Sequence, residues 1–130
     1  MAKKKIKFIL CDSNVLFSLL RGDEKTRINL QKIGDHQIAF SIITVAEAYA
    51  GCSKLEFALL KKVFSAYKVF LINDDVSKIF HGLMQSHHSR HSKWIPDALI
   101  AATAISNNLE LYTYNKKDFD FIDDLILYRP

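Results

Sequence analysis

The chain is expected to be an α/β domain, a three-layer α/β/α sandwich around a central parallel sheet of about five strands. Short runs rich in Ile, Phe, Val and Leu recur along its 130 residues, and stretches with apolar residues at helical spacing stand between them. Gly, Asn, Asp or Ser marks many of the changes from one to the other. Strands that alternate with helices argue for a parallel sheet covered on both faces.

Taken in order, Lys5 to Cys11 reads as a buried strand, ended by Asp12-Ser13-Asn14, which can cap a helix through about Leu20. Gly22-Asp23 breaks the chain. Glu24 to Ile33 reads as a second helix closed by Gly34, and Gln37 to Ser41 as a second strand. Ile43 to Ala50, Ala-rich and stopped by Gly51, reads as a short helix. Leu55 to Tyr67 is a longer one, with Leu55, Leu59 and Val63 in register beside Leu60 and Phe64. Lys68 to Ile72 is the next strand. Asp74-Asp75 starts a helix with Val76, Ile79, Phe80, Leu83 and Met84 on one side, and the polar, His-rich run after it is the one long loop. Pro96, whose fixed φ suits a first turn, opens a helix through about Asn107. Leu109 to Tyr114 and Leu125 to Tyr128 complete the strands. No repeat, low-complexity tract or linker interrupts residues 1–130, so one domain is expected.

Hydrophobic residues make up 49% of the chain, enough to bury a core without disulfides, and Cys11 and Cys52 form no CxxC pair, which reads as two reduced thiols. The apolar run after the lysine-rich start is interrupted by Lys7 and stops at Asp12, too short for a secretion signal. No stretch approaches the roughly 18 apolar residues that span a membrane, so a cytoplasmic protein is expected. A net charge of +4 favours a polyanionic partner. The basic residues gather at Lys3 to Lys7, Arg21 to Arg27, Lys61-Lys62 and in the segment His87 to Lys93.

The acids carry more information. In parallel α/β sheets ligands sit beyond the carboxyl ends of the strands, where the strand order reverses. Asp12 stands immediately after the first strand. On the third helix, Ile43, Ala46, Glu47 and Ala50 share one face, which puts Glu47 on an apolar stripe, costly unless the charge is paired, hydrated or bound to a cation. Asp97 falls in line with Ile100, Ala101, Ala104 and Ile105 on the last helix. After the following strand come Asn115-Lys116-Lys117-Asp118, and by spacing alone Asp118, Asp120, Asp123 or Asp124 serves equally as a loop charge. Each acid has a bland explanation: a helix cap for Asp12, a short helix rotated so that Glu47 meets water, and a helix-dipole charge for Asp97. Together they describe another object. Carboxylates that converge repel one another unless divalent cations sit among them, and such a centre activates water against a phosphodiester.

The segments Ile9 to Leu16, Ser41 to Glu47 and Asp97 to Ala104 closely resemble three motifs of the PIN-domain nucleases, in particular the VapC-type toxins of toxin–antitoxin pairs. The resemblance covers essentially the whole chain in order. It implies a PIN-like fold and a ribonuclease dependent on Mg2+ or Mn2+, with Asp12, Glu47 and Asp97 as metal ligands. It also implies a fourth ligand at Asn115 or Asp118, with Asp118 preferred because a carboxylate binds a cation more strongly than an amide. Ser13, Asn14, Thr44 and Asn115 are the implied supporting polar residues. An RNA substrate, a homodimer and a cognate antitoxin reaching across the acidic pocket follow from the same resemblance. The helices Glu24 to Ile33 and Leu55 to Tyr67 offer apolar residues for an interface in Ile28, Leu30, Phe57, Leu60 and Phe64.

A receiver-like signalling domain fits less well, since it needs paired acids after the first strand and a Lys after a late one, whereas Asp12 is followed by Ser13. A catalytically silent RNA-binding module would not need all four acids. A zinc site through His87, His88 and His91 has no Cys nearby, and a solvated loop is the simpler reading. With only four Gly there is no phosphate-binding glycine loop.

Overall fold

Side chains alternate across each strand, and here the alternation divides the molecule into layers. In a computed structural model that describes residues 7–130, β1 (Ile9–Cys11), β2 (Ile38–Ser41), β3 (Lys68–Phe70) and β4 (Glu110–Tyr112) form one parallel sheet in the order β3-β2-β1-β4. Ile9, Cys11, Ile38, Phe40 and Tyr112 point to one face, and Leu10, Ala39 and Leu111 to the other.

The first face is covered by α1 (Ser13–Leu20), α2 (Glu24–Ile33), α3 (Ile42–Tyr49) and α4 (Lys54–Ala66) through Val15, Leu16, Leu30, Val45, Leu60 and Phe64. The second is covered by α6 (Ile95–Ser106), which is buried almost all round through Ala98 and Ile100 to Ala104 and packs against α5 (Asp74–Ser86). The helices begin where short polar side chains satisfy free backbone N–H groups: Asp23 accepts from Thr26 N, Asn73 from Val76 N, and Ser53 and Glu56 form a reciprocal capping box. Gly34, at φ 90°, ends α2 in a conformation that L side chains rarely adopt.

The expected elements are present, with three differences. The first strand begins at Ile9; Lys5, Ile6 and all but the last residue of the basic run Lys3 to Lys7 lie outside the described residues. The expected fifth strand at Leu125 to Tyr128 contracts to a single parallel bridge, Leu111 to Leu127, made by Leu111 N to Ile126 O (2.9 Å) and Tyr128 N to Leu111 O (2.8 Å). A sheet of about five strands is therefore four strands and a bridge. The His-rich run is no long loop, because α5 continues to Ser86 and a 3-10 turn at Ser92–Trp94 leads directly into α6. Cys11 and Cys52 are free thiols, as expected. Among the described residues no helix is long and apolar enough to cross a membrane.

Candidate active site

From β1 the chain moves outward through β2 to β3, then returns to the opposite side of β1 as β4. The order therefore reverses between β1 and β4, and the crevice lies at the carboxyl ends of that pair. Asp12 follows β1 directly, its N–H bonded to Tyr112 O at 2.8 Å, and Thr113 to Asp118 follow β4.

Asp12 is only 4% exposed. Its Oδ1 accepts from Ser13 N and its Oδ2 from the Thr113 hydroxyl, both at 2.8 Å. A capping carboxylate normally serves the second or third residue of the helix. Asp12 is the N-cap of α1 but serves only the first residue, Ser13, and its other oxygen turns away from the helix to Thr113. The Ser13 hydroxyl donates to Glu47 Oε1 at 2.7 Å and lies 3.1 Å from Thr44 Oγ1. One serine thus ties the end of β1 to α3, through Glu47 and Thr44, and both Ser13 and Thr44 were expected as supporting residues. A third, Asn14, accepts from Tyr114 N through Oδ1 at 3.3 Å, while its Nδ2 is buried with no partner among the described residues.

The reasoning that singled out Glu47 needs correcting. The buried residues of α3 are Thr44, Val45 and Ala48, whereas Ala46, Glu47 and Ala50 are exposed. The helix is rotated from the expected phase: Val45 and Ala48 pack into the core under β1 and β2, and Ile43 stays half-buried against the other face. Glu47 consequently needs no burial penalty to explain it. Its carboxylate nonetheless turns toward the crevice, held by Ser13.

On the other side of the crevice, half-buried Asp97 and Asp118 line one cleft of about 350 Å³ together with Arg90, His91, Lys93 and Trp94. Asp97 sits in the first turn of α6, behind Pro96. Asp118 closes a 3-10 turn, Lys116–Asp118, and buried Trp94 donates its indole N–H to the Asp118 carbonyl at 2.9 Å. Asn115 is exposed and makes no capping bond with its side chain. Its backbone N–H is held by the Thr113 hydroxyl at 3.0 Å. Asp118, not Asn115, faces Asp97.

The electrostatics follow from this crowding. Burial pushes the Asp12 carboxyl up, the bonds from Thr113 and Ser13 pull it back, and the charges of Glu47 and Asp118 raise it again. Asp97 is pushed up to about 7, by burial first and then by Asp12, Asp118 and Glu47. Asp12 thus feels Glu47 and Asp118, and Asp97 feels the other three acids. Among the described residues the ion pairs are Lys7–Glu110 and Arg27–Glu24, and neither involves these acids. No group of three or more His, Cys, Asp or Glu there forms a ready cage for a metal ion. A donor set of hard carboxylate oxygens, none of them in an ion pair among the described residues, fits a divalent ion.

Sequence reasoning missed Thr113 as a site residue and Trp94 as the anchor of Asp118. A hydroxyl at the end of a strand was the available signal for the first; the second depends on a contact across 24 positions, which no local pattern carries. His87 is not poised for zinc, since its ring packs 4.8 Å from that of Phe121 and 5.6 Å from that of Trp94.

The PIN domain family model matches residues 9–125. Ribonuclease VapC19 of Mycobacterium tuberculosis strain H37Rv is 32% identical over 120 residues, covering 89% of this chain and 95% of that protein. A toxin-antitoxin complex from Klebsiella pneumoniae contains a chain that superposes with a TM-score of 0.76 at 30% identity, covering 94% of this chain and 99% of that one. VapBC2 from Rickettsia felis, bound to a promoter DNA fragment, has a TM-score of 0.77 at 21% identity, over 93% and 97% of the two chains, and shares the fold.

Proposed function

The chain belongs to the PIN-domain family, and we propose that it is a magnesium- or manganese-dependent endoribonuclease, the toxin of a toxin–antitoxin pair. The observation that carries this reading is that the charges of Asp12, Asp118 and Glu47 all act on the half-buried Asp97 carboxyl, beside the point where the strand order reverses, with no lysine or arginine paired to these acids among the described residues. These four carboxylates would hold the metal. When bound, the ion supplies an activated water and offsets charge on the phosphodiester.

The chain's own groups prepare the place. Ser13 and Thr113 fix the oxygens of Glu47 and Asp12 that they contact. Trp94 holds the turn that presents Asp118. Asp97, whose carboxyl lies at about 7, exchanges a proton near neutrality and can release it to make room for a cation. The resemblance to VapC-type proteins extends the proposal to a cognate antitoxin and to a homodimer in the cytoplasm.

Purified protein should cleave single-stranded RNA with magnesium or manganese and lose that activity in chelator. Asp97→Asn should fold normally and cleave below detection; undiminished cleavage by this variant would overturn the reading. Light scattering tests the dimer, with a monomeric mass at high micromolar concentration ruling it out. Of the residues expected to serve an interface, Leu30, Leu60 and Phe64 lie in the core, leaving Ile28 and Phe57 exposed. The exposed apolar surface of α4 centres instead on Leu55 and Leu59.

A further inference from the structure

An acidic centre repels the polyanion it is meant to cut, so something beside it must hold the strand. Asp118 lines two adjoining hollows. One holds Arg90, His91 and Lys93 beside Asp97; the other, of about 520 Å³, is formed by Tyr114, Asn115, Lys116 and Lys117. Asp118 therefore stands between two cationic walls, with Asp97 beside the first. All four Lys and Arg residues are exposed, and none belongs to an ion pair among the described residues.

The two walls differ in construction. The Arg90 guanidinium carbon lies 3.4 Å from the centre of the Phe121 ring and 5.4 Å from that of Trp94, a stack that fixes its plane and leaves its N–H edge free of carboxylates. His91 accepts from Lys93 N through Nδ1 at 3.1 Å, so in the neutral ring the proton sits on Nε2. This wall is pre-organised. Lys116 and Lys117 occupy an exposed 3-10 turn and act as unconstrained point charges.

We infer that these walls form a trough for single-stranded RNA: Arg90, with Lys93 and His91, holds a phosphate on one side of Asp118, and Lys116 and Lys117 hold a phosphate on the other. The inference rests on the ribonuclease reading for the identity of the strand. The trough gives the basic segment at residues 87–93 a role that a zinc site or a free loop does not.

The test is binding of a fluorescent oligouridylate, followed by anisotropy over a range of salt, with every variant built on Asp97→Asn to silence cleavage. Arg90→Gln should weaken binding several-fold and reduce the slope of log affinity against log salt by about 0.7, the release expected for one phosphate contact on a single strand. The double variant Lys116→Gln/Lys117→Gln should reduce the slope by at least as much. Arg90→Lys should keep most of the slope, which separates lost charge from lost stacking. Lys62→Gln is the control, because the C-terminal part of α4 leads into the start of β3, at the edge of the sheet opposite the crevice. If Arg90→Gln and the lysine pair behave like Lys62→Gln, or if the parent does not bind the strand, the trough is wrong even should the unsilenced protein cleave RNA. If both walls change the slope while the unsilenced protein cleaves nothing in magnesium, the trough stands and the ribonuclease reading falls.

Discussion

A serine hydroxyl carries one proton, and in Ser13 that proton goes to Glu47. The bond fixes an otherwise mobile, exposed carboxylate beside a buried one, so removing it should disturb the site without disturbing the core. Ser13→Ala is expected to lower magnesium affinity or RNA cleavage by about 10- to 100-fold, the usual cost of losing a group that orients a ligand. Circular dichroism should remain that of the parent. Thr113→Val removes a bond that stabilises ionised Asp12, so its carboxyl should rise further and magnesium should bind more weakly at pH 7. A titration showing unchanged affinity in both variants would remove these hydroxyls from the site. At this scale the sequence was informative wherever an acid sat at a strand end or helix start, as with Asp12 and Asp97. For Glu47 the expected burial does not hold, and its place beside Asp12 rests on the Ser13 bond instead. Helical spacing locates faces relative to one another, but which face is buried depends on the volumes available to fill the core.

Elements position the site through contacts that are distant in sequence. The Trp94 indole bonds to the Asp118 carbonyl, and buried Phe119 follows immediately, so the last acid is clamped from both sides. Trp94→Phe keeps an aromatic ring but leaves that carbonyl without its donor, a loss of about 1 kcal/mol locally. Amide exchange over residues 115–120 should quicken, and cleavage should fall while the global melting temperature changes little. Protection equal to that of the parent would show that Phe119 alone holds the turn. The order of strands and helices could be read from periodicity and caps, since those signals are local. The shortening of the fifth strand to a bridge and the compact path from α5 into α6 could not, because both depend on packing against Leu111, Trp94 and Phe121.

For the molecule as a whole, the burial and crowding of Asp97 and Asp12 are a cost that a bound cation would relieve, and the cost has a pH signature. Asp97 titrates at about 7 in the folded chain against 3.8 for an ordinary Asp. Between those values the folded state binds more protons than the unfolded state, so stability falls as pH rises through this window and levels off above it. Asp12, raised in the same direction, adds to the trend. The metal-free protein in chelator should therefore melt at a higher temperature near pH 5 than near pH 7.5, judged against Asp97→Asn, whose amide does not titrate. The difference between parent and variant isolates the cluster from the rest of the acid titration. Magnesium should remove most of that difference at neutral pH, because binding to the folded state alone contributes about 2.7 kcal/mol at 100 times the dissociation constant. A parent whose melting temperature tracked that of Asp97→Asn at every pH, with and without magnesium, would mean that the four carboxylates bear no shared charge and hold no shared ion.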